Sequence, residues 1–230
     1  NGDIDGYYKF QGYNEISTAW MMYLQRELGD LVCYLEGDVS FVDGKLVMES
    51  LMEEIEKCEQ NRVRFSVTIL IVNNDHANAL VFDHLKKTIT LFEPNGHKAT
   101  ANGLDEALEK LVAKNPDSFN GYVRPMAYCP NYGPQSRASR AFGKKTNGRI
   151  FGIPVMIESD GFCLAWAALF IHKRILYPDQ TNQEISEMFS NDPIVLQREI
   201  KSYMASIMRE IVAFNGEPKW LESTTDINFS

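Results

Sequence analysis

The chain has 230 residues, and 44% of them are hydrophobic, which is enough for one sizeable buried core. We therefore expect a single domain over residues 1–230. The formal net charge of −8 argues against a protein that wraps duplex nucleic acid over its whole surface. The longest apolar run covers residues 163–171, far short of the roughly 20 residues that a transmembrane helix needs, so we expect no membrane-spanning segment.

The cysteines are few and lie far apart in the sequence, at Cys33, Cys58, Cys129 and Cys163. This scatter is unlike the dense cysteines of a disulfide scaffold and unlike the close pairs of a structural zinc site. The N-terminal residues from Asn1 onward lack the basic and apolar regions of a signal peptide. We therefore expect no metal, no cofactor and a reducing compartment, the cytoplasm.

The first half of the chain is predicted to pass from helices to strands. Apolar residues recur with helical spacing over residues 15–28 and again over residues 46–58. Residues 64–72 are β-branched and nearly continuously apolar, which is typical of a buried strand. Two shorter strand-like runs follow at 76–83 and 87–92, and we predict that they form a hairpin.

The second half is predicted to be mainly helical. An amphipathic helix is indicated over 103–114, and strand composition returns at 121–128. Residues 129–152 are rich in Gly, Pro, Ser, Arg and Lys without a sustained period, which predicts a long loop. Three helical patterns complete the chain, at 162–177, 182–190 and 192–214.

These elements predict an α+β domain in three parts. They are a helical part at 1–62, a central, mainly antiparallel sheet at 63–128, and a loop followed by helices at 129–230.

Two polar residues of the predicted hairpin are expected to face each other. If the turn is centred on residues 84–85, the numbers of paired residues sum to 169, which places His76 opposite Glu93. Opposed residues have Cβ atoms roughly 4.5 to 5.5 Å apart, so that a carboxylate can accept a hydrogen bond from an imidazole. The pairing requires a strand without a bulge and a loop of the assumed length.

Asp83 and Asn95 are the other candidates for the partner of His76. Asp83 ends the same strand, and at about 3.3 Å per residue it lies roughly 23 Å away, too far to orient the imidazole. Asn95 follows Glu93 by two residues and stays open as an alternative.

Cys163 is the candidate nucleophile. It is predicted to open the helix at 162–177, directly after the turn residues Asp160 and Gly161. The amide protons and the positive end of the helix dipole at such a position favour the thiolate over the thiol. A histidine nearby, held in turn by an acid, completes the activated nucleophile of a thiol hydrolase. The other cysteines lack this context, and we expect them to be structural.

The order His76, Glu93, Cys163, with 17 residues between the first two, resembles the adenovirus-protease and SUMO-protease clan of cysteine peptidases. The motifs that carry the resemblance are DHAN, FEPNG and DGFC, within a stretch of about 90 residues. The GPQ and GFCLAW elements also resemble those of members from large DNA viruses. The resemblance implies a papain-like α+β fold in which the cysteine attacks a carbonyl, the histidine moves its proton and the glutamate fixes the imidazole.

Two positions depart from the clan, and one of them is Ala77, since such enzymes commonly carry a Trp directly after the histidine. Such enzymes usually carry a Gln six or seven residues before the cysteine, which donates to the oxyanion, and Met156 and Ile157 occupy those positions here. Gln135 is the best substitute, since the negative charge of Asp160 would repel an oxyanion. Substrate binding is assigned to Trp166, Asn78 and Gly161, with core packing as the other interpretation of Trp166.

A basic segment covers residues 137–149 and contains no acid. Its cations are Arg137, Arg140, Lys144, Lys145 and Arg149. In an acidic protein such a segment is either a solvated loop or a contact for an acidic partner or nucleic acid.

The resemblance implies hydrolysis of peptide or isopeptide bonds through an acyl-enzyme, with ubiquitin or a ubiquitin-like modifier as the favoured substrate. Processing of a viral polyprotein is the close alternative, in the host cell or the virion. Effector acetyltransferases share the same scaffold and would use the basic segment to bind coenzyme A. An inactive relative that only binds a partner is the non-enzymatic alternative.

Overall fold

The structure is a computed structural model that describes residues 28–29, 31–35, 39–48, 51–73, 76–140, 146–150, 153–157 and 162–215. For residues 48, 140, 146–150, 153–157, 208 and 210–215 the description covers the backbone alone. Apart from its last residue, the helix predicted at 15–28 lies outside the described residues.

In the described part of the chain, seven strands form one sheet. The strands are β1 (Val32–Tyr34), β2 (Val39–Val42), β3 (Lys45–Met48), β4 (Phe65–Val72), β5 (His76–Asp83), β6 (Thr88–Phe92) and β7 (Gly121–Val123). Their order is β3-β2-β4-β5-β6-β7, with β1 also paired to β4. The longest pairings, β4 with β5 and β5 with β6, are antiparallel, while β1, β2 and β7 each pair in parallel with a neighbour. The chain thus has the α+β class that its sequence predicts.

Helices lie on both faces of this sheet. They are α1 (Leu51–Gln60), α2 (Leu104–Lys114), α3 (Pro134–Arg140), α4 (Cys163–Leu176), α5 (Asn182–Glu187) and α6 (Pro193–Asn215). Because side chains alternate along a strand, Ala79 and Val81 of β5 pack with α4 to α6, whereas Leu80 and Phe82 pack with α1 and α2. Burial on both faces explains why the strand sequences are almost continuously apolar. Among the described residues, no helix combines the length and the apolar character that a bilayer span requires.

The N-terminal part is not helical throughout, and the prediction for residues 1–62 is wrong there. Strands β1 to β3 precede α1, and β2 and β3 form a hairpin through Asp43 and Gly44, whose φ angles are 51° and 74°. Positive φ at both central residues is the geometry of the turn that an Asp-Gly pair favours between two strands. The helical spacing over 46–58 masked this hairpin signal.

The predicted loop at 129–152 is also wrong. Helix α3 lies within it, and a separate antiparallel pair, β8 (Thr146–Ile150) and β9 (Ile153–Ile157), follows. A helix of seven residues and strands of five are too short to establish a clear period in a segment rich in Gly and Pro.

Cys33 and Cys58 form a disulfide that joins β1 to α1, with their Cα atoms 5.8 Å apart. The scattered cysteine spacing did not predict this pair. The two residues meet because β1 lies parallel to β4 in the sheet and α1 packs on the same layer.

We expect the Cys33→Ser substitution to lower the free energy of unfolding by about 2–4 kcal/mol, since the cross-link restricts the unfolded chain. Urea denaturation with and without a thiol reductant measures this difference. Reductant should destabilise the unmodified protein and leave the variant unchanged. Equal stability of the oxidised and reduced protein would contradict the prediction.

Candidate active site

The β5–β6 hairpin has a different register from the predicted one. Asp83 pairs with Thr88, so four residues, 84–87, form the loop, and Lys87 has a φ of 50°. The numbers of paired residues therefore sum to 171 and not to 169. The loop is two residues longer than the assumed reversal, and its last residue, Lys87, is in the left-handed conformation.

The shift moves His76 to a diagonal position relative to Glu93. Because it is a shift of two residues, both side chains stay on the same face of the sheet. The Nε2 atom of His76 lies 2.7 Å from Oε1 of Glu93, which also accepts a hydrogen bond of 2.9 Å from the backbone amide of Asn95. A diagonal pair is within reach of long side chains, so the contact forms although the register prediction was wrong.

Cys163 is the first residue of α4, as the sequence predicts, and it is hydrogen-bonded to His76. Phe162 precedes the helix and provides no capping side chain, so the amide groups of the first turn are not capped from there. The structure thus brings a thiol, an imidazole and a carboxylate into one cluster.

Helix α4 is held by aromatic contacts with the sheet and with the segment after α5. Phe92, the residue before Glu93, stacks on Phe170 with ring centroids 4.1 Å apart, and Trp166 contacts Phe189 edge-on at 5.8 Å. These contacts fix the helix N-terminus relative to Glu93. Trp166 is 1% exposed and packs in the core, which is the other interpretation given for this residue.

The protonation of His76 reflects its two partners. Burial lowers its pKa, but the hydrogen bonds to Cys163 and Glu93 and the charges of both raise it, and together they bring it from 6.5 to about 10. The imidazole is therefore protonated at neutral pH. An imidazolium beside a cysteine is the environment that favours a thiolate nucleophile.

Cys163 is the cysteine that fits this chemistry among the four. Cys33 and Cys58 are joined in the disulfide. Cys129 is 5% exposed, and burial raises the pKa of its thiol to about 12, so it stays a thiol at neutral pH. These positions agree with the structural roles expected for the other cysteines.

The two alternative partners of His76 have other contacts in the structure. Asp83 lies at the far end of β5, where its Oδ2 is 3.3 Å from the buried guanidinium of Arg174. The side-chain oxygen of Asn95 accepts a hydrogen bond of 3.1 Å from Ser136. Neither residue is the partner of His76, which is Glu93.

Gln135 lies close to the segment that follows Glu93. Two backbone hydrogen bonds, which we call the clamp and which the sequence did not predict, hold it there. Its amide donates to the carbonyl of Pro94 at 3.1 Å, and the amide of Gly133 donates to the carbonyl of Asn95 at 2.8 Å. Gln135 is 1% exposed, in the first turn of α3, next to the segment that follows Glu93. The role of Gln135 as an oxyanion donor stays a prediction. The small residues of FEPNG and YGPQ were the signal that could have revealed the clamp.

The clamp depends on two glycines whose backbones touch. A Cβ atom on Gly133 would lie 2.2 Å from the carbonyl oxygen of Pro94 and 2.5 Å from the amide nitrogen of Gly96. Both neighbours are backbone atoms that cannot move aside independently. Only glycine allows this approach.

We expect Gly133→Ala to lower the free energy of unfolding by about 1–3 kcal/mol, because the added methyl group overpacks the clamp. Gly121→Ala is the matched control, since an added Cβ there meets nothing within 4 Å. Thermal or urea unfolding of the two variants measures the difference. Two variants of equal stability would show that the clamp is not tight.

The remaining predicted contact residues differ in their accessibility. Asn78 is 0% exposed and pairs with Leu70 of β4, and its contact with substrate stays a prediction. Gly161 lies outside the described residues.

The basic segment is only partly described. Arg137 is half-buried and donates to the side-chain oxygen of Asn191. It borders a cavity of about 350 Å³ that is also lined by Met126, Cys129, Gln183 and Glu187. Neither His76, Glu93 nor Cys163 lines this cavity. The side chains of the other four cations, Arg140, Lys144, Lys145 and Arg149, lie outside the description.

In the described ranges no three His, Cys, Asp or Glu side chains cluster as metal ligands would. No protein-family profile and no solved structure matches the chain. Among curated proteins, the chain is similar to the putative ankyrin repeat protein L371 of Acanthamoeba polyphaga mimivirus, with 26% identity over 159 residues. The similar stretch covers 63% of this chain but 20% of that protein, so the chain spans about one fifth of the relative's length. A likeness of this extent does not establish a family for the chain.

Proposed function

We propose that the chain is a cysteine peptidase that hydrolyses peptide or isopeptide bonds with Cys163, His76 and Glu93. The observation that carries the proposal is the double engagement of His76, which bonds a buried carboxylate at 2.7 Å and a thiol at the start of a helix. A nucleophile, a base and an acid that orients the base are the parts of an acyl-transfer site.

The proposed reaction has two steps. The thiolate of Cys163 attacks the carbonyl carbon, and the imidazolium of His76 gives its proton to the leaving amine as the carbon–nitrogen bond breaks. Water then attacks the thioester, His76 accepts a proton from that water, and the carbon–sulfur bond breaks to release the acid and the thiolate. Glu93 keeps the imidazole oriented throughout. No cofactor takes part.

The oxyanion of each tetrahedral intermediate needs hydrogen-bond donors. The backbone amides of the first turn of α4 are one source, since Phe162 places no side chain over them. We assign the second donor to the side chain of Gln135, which the clamp carries to the segment after Glu93. This assignment replaces the Gln that the resembling clan has just before its cysteine.

The favoured substrate is ubiquitin or a ubiquitin-like modifier, and this choice rests on the resemblance to the SUMO-protease clan. The test is incubation with a panel of ubiquitin-like proteins that carry a C-terminal electrophile, read by intact mass and peptide mapping. We expect one covalent adduct, on Cys163. Cys129→Ser is the matched control and should label normally, because the raised pKa of the Cys129 thiol keeps it protonated at neutral pH.

Other results lead to different conclusions. Cleavage of extended peptides without labelling by any modifier would replace the modifier with a linear polyprotein substrate. Transfer of acetyl from coenzyme A to a protein would favour the acetyltransferase alternative. An adduct on Cys129, or no turnover of any of these substrates, would overturn the proposal.

A further inference from the structure

Asn78 is a buried polar residue whose amide has no hydrogen bond. It is the third residue of β5 and is 0% exposed, and neither its Nδ2 nor its Oδ1 atom has a hydrogen-bond partner. Buried side-chain amides are nearly always hydrogen-bonded, because burial without a partner costs free energy. An amide retained at such a place therefore needs an explanation.

Glu93 presents the complementary feature. Its Oε1 atom accepts hydrogen bonds from His76 and from the amide of Asn95, whereas its Oε2 atom is buried and has none. An ionised carboxylate only accepts hydrogen bonds, and an amide nitrogen donates them. A donor that reaches Oε2 would give the second oxygen of the carboxylate a hydrogen bond as well.

The hairpin register places these two residues side by side. The last pair of the ladder is Ala79 with Phe92, and one step further along both strands brings Asn78 opposite Glu93. Directly opposed residues share a face, with Cβ atoms roughly 4.5 to 5.5 Å apart. His76 lies on the same face one position beyond, so the amide, the carboxylate and the imidazole form a row.

We propose that Asn78 is a positioning residue for Glu93, with its Nδ2 donating to Oε2 and thereby fixing the carboxylate toward His76. The terminal torsion of asparagine is broad, so the amide can turn toward the carboxylate without leaving its rotamer. The other titratable groups at this row are Cys163, which bonds His76, and Cys129, which interacts with Glu93. The proposed hydrogen bond from Asn78 to Glu93 involves neither of these thiols.

The role rests on the proposed function, since fixing the acid matters only if the site turns over, but its test needs no substrate. The readout is the downfield NMR resonance of the proton that His76 shares with Glu93. In Asn78→Leu the carboxylate loses its donor, and we expect this resonance to broaden or disappear. Thr68→Val, a buried polar-to-apolar change on β4, is the matched control and should leave it intact.

The decisive variant is Asn78→Asp. Two adjacent buried carboxyls cannot both ionise easily, so the introduced group holds a proton at low pH and can donate it to Glu93. We expect the resonance to be present at low pH and to vanish as the introduced carboxyl ionises. A merely structural amide would show no such dependence. If Asn78→Leu does not fold, this variant decides alone.

Activity provides the second readout. With a substrate identified by the labelling panel, Asn78→Leu should reduce kcat by about 10- to 100-fold, as loss of an outer hydrogen-bond partner does around metal ligands, with KM within about twofold. An unchanged resonance in folded Asn78→Leu, or the absence of pH-dependent rescue in Asn78→Asp, would overturn the role. A normal resonance pattern without any turnover would instead refute the peptidase and leave the positioning intact.

Discussion

Replacing Cys163 by alanine should reduce kcat/KM for the modifier substrate by at least about 10⁴-fold, because the acyl intermediate of the proposed reaction forms on this thiol. The fold should survive, since the thiol fills little volume and α4 is held by Phe170 and Trp166 further along the helix. A fluorogenic substrate measures the loss, and thermal unfolding of the same sample checks the fold.

Cys129→Ala is the control that separates chemistry from packing. Cys129 is buried to a similar degree as Cys163, so both substitutions remove one buried sulfur. We expect Cys129→Ala to keep its activity within a few-fold and to unfold at a slightly lower temperature. If Cys163→Ala retains turnover, or if both variants lose it equally, the nucleophile is not Cys163.

Replacing Glu93 by glutamine should have the second largest effect. The substitution keeps the size of the side chain and removes its charge, and in serine hydrolases the matching Asp→Asn change costs about 10⁴-fold. A thiol is the better nucleophile, so we expect a loss of about 10²- to 10³-fold in kcat/KM here. Cys129, which also interacts with Glu93, keeps its buried position in this variant.

The same variant tests the protonation of His76. The pKa of His76 is raised to about 10 by its partners, so NMR titration should show a lower value in Glu93→Gln, where burial still opposes the charge and one partner is gone. Because the pKa of His76 is higher in the folded protein than the 6.5 expected in the unfolded chain, protonation of His76 stabilises the fold. This contribution is complete below pH 6.5 and is lost as the pH rises through 10. Stability should therefore fall from pH 7 to pH 10 more steeply in the unmodified protein than in the variant. Equal slopes, or an unchanged pKa, would contradict the His76–Glu93 pair.

Local patterns in the sequence predict the elements that carry the site. The helix predicted at 162–177 is observed as Cys163–Leu176, because its apolar period and the following Pro178 are local signals. The strands predicted at 64–72 and 76–83 are observed within one residue. The start of α4 at Cys163 needed no knowledge of the rest of the fold.

The site itself was predicted through a register that was wrong. The pairing of His76 with Glu93 assumed a short reversal, whereas the loop of four residues shifts the strands by two. An even shift preserves the face, so the diagonal contact replaced the direct one. A shift by one residue would have moved Glu93 to the opposite face and removed the acid from the site.

The α+β class and the helix that begins at Cys163 follow from residues close together in the chain, and the order of histidine, acid and cysteine is read directly from the sequence. The tertiary structure alone decided the disulfide between Cys33 and Cys58, the clamp that carries Gln135 to Pro94, and the burial of Asn78 beside Glu93. These features join segments 25 or more residues apart or depend on strand register, and no local periodicity records which distant backbones will touch.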